Sequence, residues 1–176
     1  MKKSGLVLWI TGVSGAGKST LATEVAKRLK QADRAVIVLD GDELRGVFGV
    51  TGSEHYDRAS RLALALQYSR LCRLISAQGI VVIAATISMF QEVHEWNRQN
   101  LENYYEVYLK VPMEELRRRD ARQIYSRYDT GELKNVAGLD LAVDIPASPD
   151  LVLEFDPSRS AAETAEQLEM AISRIL

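Results

Sequence analysis

Cysteine is nearly missing from this chain: Cys72 is the single one in 176 residues. One thiol makes no internal disulfide, so a disulfide-stapled fold is excluded and a reducing compartment is expected. Cys72 lies in the apolar-rich stretch "RLCRLIS", which marks a packed core thiol rather than a reactive one. No apolar run approaches the ~20 residues of a membrane span. The N-terminus, "MKKSGLVLWITG", is basic then apolar, but its run "LVLWI" is shorter than the roughly 7–15 residues of a signal-peptide core. A cytoplasmic protein without membrane contact is the expectation. A basic excess is also lacking, with 22 basic against 24 acidic residues and a net charge of −2. A groove for a nucleic acid polymer normally shows such an excess. A small anion needs only a local cluster of positive charge.

What is present is ordinary globular composition, 47% apolar and 26% charged, of a size that suits one domain over residues 1–176. Strands are predicted at 6–11, 35–40, 79–86, 105–110 and 151–155. Several run apolar without alternation, the pattern of strands covered on both faces in a parallel sheet. Helices are predicted at 18–31, 55–78, 90–103, 112–127 and 160–175, with Pro112 in the first turn of its helix. This alternation predicts a doubly wound α/β domain with a five-stranded parallel sheet, whose ligands bind beyond the carboxyl ends of the strands. Residues 125–149 hold Gly131, Gly138, Pro146 and Pro149 and no strong periodicity. Together with the arginines before them, they make 117–149 a candidate lid or substrate segment.

The stretch "GVSGAGKS", Gly12 to Ser19, follows an apolar strand and opens a helix, and it matches the phosphate-loop pattern G-x-x-x-x-G-K-[ST] in full. Its chemistry explains its residues. Gly12, Gly15 and Gly17, with Ser14 and Ala16, let backbone N–H groups turn inward onto phosphate oxygens. Lys18 reaches the β and γ phosphates, and the Ser19 hydroxyl, followed by Thr20, serves Mg²⁺. A nucleoside triphosphate with Mg²⁺ is therefore the expected ligand, ATP above all. The D-x-x-G and N-K-x-D of a switch GTPase are missing, as is the L-S-G-G-Q of a transporter ATPase. The strand 79–86 ends in "AAT", without the acid of a motor ATPase.

An acid stands instead at the end of strand 35–40. "VIVLDGDELR" runs from apolar residues into Asp40, Asp42 and Glu43, then Arg45. If that strand neighbours the first, its end lies near the γ-phosphate. One of Asp40 and Asp42 then holds Mg²⁺, with Asp40 the candidate, and the other accepts the proton of an attacking hydroxyl. A helix-start turn capped by Asp is the plainer alternative for Asp42. Arg58 and Arg61 lie one helical turn apart, hence on one face, and guanidinium groups suit phosphate and sulfonate oxygens. Arg117, Arg118, Arg119 and Arg122 precede the lid, and Arg119 is the candidate to reach ATP. A small-molecule kinase is favoured over a motor or a switch. A non-catalytic nucleotide-binding regulator is the competing reading from another class.

The blocks "GVSGAGKSTLA", "VLDGDELR", "YDRASR", "TISMF", "RRRDARQIYSRYDTGELKNVAGLD" and "PASPDLVLEF" together resemble the adenylylsulfate kinases over nearly the whole chain. The resemblance implies MgATP-dependent phosphorylation of the ribose 3′-hydroxyl of adenylyl sulfate. It implies Asp42 and Asp40 as the acid pair, and Arg45 and Arg58 as acceptor arginines. Ile87 and Ser88 would belong to the acceptor site, and Lys134, Asn135 and Val136 to the lid. Members of that family are often dimeric, so a homodimer is an expectation of the resemblance alone.

The chain also departs from the family pattern. Glu43 stands where relatives carry Asn. Arg61 replaces another Asn, and Ala63 and Leu64 replace two arginines. Val136 replaces the aromatic that stacks on the acceptor's adenine. Loss of a stacking ring weakens base binding by about 1–3 kcal/mol, and Glu43 adds a negative charge beside an anionic acceptor. Both changes point to an alternative acceptor, cytidine diphosphoramidate, which kinases of this kind phosphorylate in capsular polysaccharide clusters.

Overall fold

The computed structural model describes residues 4–50, 57–120 and 122–176. Five strands, β1 (Val7–Thr11), β2 (Val36–Asp40), β3 (Val81–Thr86), β4 (Tyr104–Lys110) and β5 (Leu151–Glu154), form one sheet in the order β2-β3-β1-β4-β5. Every pairing is parallel. The helices are α1 (Lys18–Gln31), α2 (Gly41–Val47), α3 (Arg58–Ser76), α4 (Gln91–Asn100), α5 (Met113–Arg119), α6 (Ile124–Asp129) and α7 (Ala161–Ile172).

The unbroken apolar runs do what a doubly covered sheet requires. Successive residues of a strand face opposite sides. Leu8, Ile10, Ile83 and Val107 pack with Leu21, Val25 and Leu29 of α1 and Leu168 and Ile172 of α7. Val7, Trp9, Val82 and Ala84 pack on the other face with Leu64, Tyr68 and Cys72 of α3 and Val93 of α4. Cys72 is fully buried, as its apolar neighbours imply, and burial pushes its thiol up to about 12.

Strand boundaries lie within two residues of the sequence expectation, and α1 starts and stops where predicted. Three expectations are corrected. First, β2 does not neighbour β1, because β3 lies between them. The right-handed crossover through α1 skips a position, and α1 then packs on β2 and β3 together. Second, the helix predicted over 112–127 is two helices. The Asp120 carboxylate accepts from the backbone N–H of Tyr125 (3.0 Å) and Ser126 (2.9 Å), at the start of a second helix. Gln123 sits at φ 53°, in the left-handed region that no α-helix continues through. Pro112 is the N-cap of α5 rather than a residue of its first turn. Third, the turn after β2 is a short helix, α2, capped by Asp40 and not by Asp42. Tyr56 and the start of the helix predicted over 55–78 lie outside the described residues.

Candidate active site

In a parallel sheet all five strand ends meet on one edge, and the candidate residues line it. Gly12 follows β1, Asp40 closes β2, Ile87 and Ser88 follow β3, and Phe155 follows β5. The phosphate loop turns through Gly15 at φ 77° and Gly17 at φ 97°, conformations only glycine adopts without strain. A side chain at Gly12 would press to 2.9 Å on the Leu109 carbonyl, so β4 forbids one there.

Lys18 is half-buried and donates from Nζ to the Val13 carbonyl at 2.9 Å. Burial lowers its pKa to about 8; Asp40 opposes that shift, and the charges of Arg122 and Arg45 add to it. A triphosphate in the loop supplies the negative charge that this ammonium faces only in part. The Ser19 hydroxyl donates to Asp40 Oδ2, and Asp40 Oδ1 accepts the Asp42 N–H at 2.8 Å. Thus Asp40 reaches the loop although its strand is not next to β1. Ser19 and Asp40 form a hard-oxygen pair at the end of the loop. Mg²⁺ is held by one or two such protein oxygens plus substrate phosphates, so these residues fit it. Among the described residues no cluster of three or more His, Cys, Asp or Glu offers a metal an all-protein cage.

Asp42 stands in the first turn of α2 with its two oxygens divided. Oδ1 is ion-paired with Arg45, one turn on, and Oδ2 accepts from Arg122 of the α5–α6 connection. Glu43 is exposed beside it, with no ion pair among the described residues. Arg58, expected as an acceptor arginine, is in contact with two carboxylates and a ring. It pairs with Glu92 (3.3 Å) and Asp144 (2.9 Å) and lies over the Phe90 ring at 5.1 Å. Arg61 instead donates to the Asn135 carbonyl of the lid at 3.1 Å. One helical turn separates the two arginines, yet one ties α3 to α4 and the other reaches the lid.

The turn of the candidate lid segment is built around Asp140, whose carboxylate accepts from the N–H groups of Asn135 (2.8 Å) and Val136 (2.7 Å). Asn135 takes a left-handed φ of 58° there. Lys134 and Asn135 are exposed, while Val136 is buried. Gly138 brings the lid onto the phosphate loop: a side chain there would meet Val13 at 3.0 Å. Ser88 is buried and hydrogen-bonded to Thr86 at 2.5 Å, and the Ile87 carbonyl accepts from Thr11 at 2.7 Å.

A cleft of about 200 Å³ opens beside the loop, lined by Gly17, Thr20, Arg119, Phe155, Asp156 and Arg159 among others. Arg119 lies 4.8 Å over the Phe155 ring and is held by Glu115 at 2.6 Å. Bonds from Arg118 and Arg119 hold the Glu115 carboxyl down at about 2. Three contributors escaped the sequence reading. Tyr125 is buried and donates to the Ser14 carbonyl at 2.7 Å, bracing the loop from the lid side. Phe155 was read only as the end of a strand. Arg122 was one of four arginines before the lid, and nothing in its spacing distinguished it.

The family model for adenylylsulphate kinase matches residues 4–154. The chain is 37% identical over 175 residues to the cytidine diphosphoramidate kinase of Campylobacter jejuni, covering 99% of both. It is 40% identical over 154 residues to the adenylyl-sulfate kinase of Paraburkholderia xenovorans, covering 86% of this chain and 84% of that one. The Mycobacterium tuberculosis APS kinase solved with AMPPNP and APS superposes with a TM-score of 0.88 at 30% identity, covering 97% and 98% of the two chains.

Proposed function

This chain belongs to the adenylylsulphate kinase family and is an ATP-dependent kinase of that kind, and from that premise we propose that it phosphorylates the ribose 3′-hydroxyl of cytidine diphosphoramidate. Adenylyl sulfate, the acceptor placed first on sequence, becomes the second reading. The observation that carries the kinase chemistry is the convergence of Lys18, Ser19, Asp40 and Asp42 at one sheet edge. Three features favour the cytidine acceptor. The whole-chain likeness to the Campylobacter kinase is one. The buried aliphatic Val136 at the lid turn is another, since it offers no ring to a purine. Exposed Glu43, without an ion pair among the described residues, is the third, tolerable beside an uncharged phosphoramidate nitrogen. Its charge also complements the N-terminus of α2, so it contributes to the helix whatever the acceptor.

In the proposed reaction the loop amides and Lys18 hold the β and γ phosphates. The cleft under Arg119 and Phe155 takes the adenine of ATP. Ser19 and Asp40 would hold Mg²⁺, which supplies charge neutralisation of the phosphates when bound. Asp42 accepts the proton of the 3′-hydroxyl as its oxygen attacks the γ-phosphorus in line. The bond from that phosphorus to the bridging oxygen breaks, and ADP leaves. Arg45 and Arg61 hold the acceptor's anionic groups, and residues 117–149 with Lys134, Asn135 and Val136 close over it. Arg58 serves this site at one remove, by tying α3 to α4. Ser88 is an acceptor-pocket residue, since direct transfer needs no covalent intermediate on its hydroxyl.

The test is a panel of MgATP with cytidine diphosphoramidate, adenylyl sulfate and plain nucleotides, compared by kcat/KM. Preference for the cytidine compound is the expected result. Preference for adenylyl sulfate reverses the order of the two readings. Tight ATP binding without transfer to any nucleotide supports the regulatory alternative.

A further inference from the structure

Asp42 is the reading's catalytic base, and each of its two carboxylate oxygens faces an arginine. Arg45 is ion-paired with Oδ1, and Arg122 donates to Oδ2. Such charge-assisted bonds are roughly twice as strong as a neutral hydroxyl's, so a water or ribose hydroxyl competes poorly for the same lone pairs. The two arginines differ in origin. Arg45 belongs to α2, on the acceptor side. Arg122 comes from the connection that follows Arg119, on the ATP side, close enough to Lys18 for their charges to repel. The other arginines of this rim are committed elsewhere: Arg58 to Glu92 and Asp144, Arg117 to Asp129, Arg118 and Arg119 to Glu115. Arg122 is 62% and Arg45 32% exposed, so both have solvent into which to move.

We propose that Arg45 and Arg122 form a two-part latch on Asp42, opened only when both substrates are present, which suppresses transfer of the γ-phosphoryl group to water. The inference rests on the kinase reading above. The triphosphate beside Lys18 draws Arg122 off Oδ2, because several phosphate oxygens outweigh one carboxylate. The anionic group of the acceptor draws Arg45 off Oδ1. With ATP alone, Arg45 still holds the base. In the suppressed side reaction a water oxygen bonds to the γ-phosphorus, the bridging P–O bond breaks, ADP leaves and the water's proton passes to Asp42. The latch makes Arg122 a positioning residue, acting through Asp42 as well as on the phosphates.

The experiment follows phosphate release from MgATP without acceptor, and phosphoryl transfer with it, in wild type, Arg45→Ala, Arg45→Lys, Asp42→Asn and the Arg45→Ala/Asp42→Asn double variant. With ATP bound, Arg45 is the arm of the latch still closed, so Arg45→Ala is expected to raise acceptor-independent hydrolysis about tenfold, the equivalent of one charge-assisted contact removed from the base. Arg45→Lys, which keeps the charge, brings hydrolysis back toward wild type. The double variant matches Asp42→Asn, because the gain runs through Asp42. Hydrolysis at or below the wild-type rate in Arg45→Ala overturns the latch, as does a gain that survives in the double variant. The hydrolysis arm needs only MgATP. A panel in which no nucleotide is phosphorylated therefore sinks the acceptor reading and leaves the latch to be judged on hydrolysis. Matching melting curves check that the Arg45 variants retain the fold.

Discussion

At Asp42 a single carboxylate stands between two arginines, and the residue scale is where the chemistry is most open to test. Replacing Asp42 by Asn keeps the shape and removes the proton acceptor. The expected result is a fall in kcat of about 10²–10⁴-fold with the KM for ATP nearly unchanged, measured by coupled ADP release with the true acceptor. An unchanged kcat removes Asp42 from the base role. Cys72 makes the opposite kind of prediction. Its thiol is fully buried and pushed up to about 12, so little thiolate exists at neutral pH. A thiol-reactive dye should label it only as the protein unfolds. Rapid labelling of the native protein by such a dye would show the α3 face of the core to be open.

Among the elements, the proposed lid turn and α5 offer separate tests. The turn at Asp140 buries Val136, which offers no ring to a purine, so Val136→Phe is expected to improve kcat/KM for adenylyl sulfate relative to cytidine diphosphoramidate. A gain of about 1–3 kcal/mol is the stacking contribution, read as the change in the ratio of the two acceptors. No change in that ratio removes Val136 from base recognition. Helix α5 sets Arg119 over the cleft proposed for adenine, through Glu115. Glu115 has a folded pKa of about 2, below the ordinary glutamate value, so its pairing stabilises the fold above the unfolded pKa. That contribution fades only as pH falls toward 2. ATP affinity should therefore show no inflection between pH 4 and 5 due to this carboxyl, in the range of an ordinary glutamate, about 4.3. Glu115→Gln should raise the KM for ATP several-fold at neutral pH by loosening Arg119. An unchanged KM would mean that the Phe155 ring alone holds the guanidinium.

For the whole molecule, ligand and stability are linked, because the loop, lid and cleft exist together only in the folded chain. MgATP at about 100 times its dissociation constant adds about 2.7 kcal/mol, or about 5–10 °C in Tm at this chain length. Lys18→Ala should abolish most of that rise, in a thermal melt with and without nucleotide. A full shift in Lys18→Ala would place the triphosphate elsewhere. No helix among the described residues is long and apolar enough to cross a membrane, and the site lies on the sheet edge that any α/β kinase presents to small ligands.

Much of this was legible in the chain alone, and the reasons are local. The phosphate loop is contiguous, so glycine conformation and helix-terminus chemistry bring its eight residues together without help from the rest of the fold. The strands are short apolar runs whose burial on both faces is written in their composition, and their parallel order follows from the helices between them. What sequence did not show is what depends on distance through space. Strand β3 between β1 and β2, the break at Asp120, the saturation of Arg58 by Glu92 and Asp144, and the reach of Arg122 to Asp42 join residues 34 to 86 positions apart or turn on one side-chain cap. A guanidinium looks the same in sequence whether it meets a substrate or a carboxylate. Its role follows from which charges packing brings within a hydrogen bond of it, and that is a property of the folded chain.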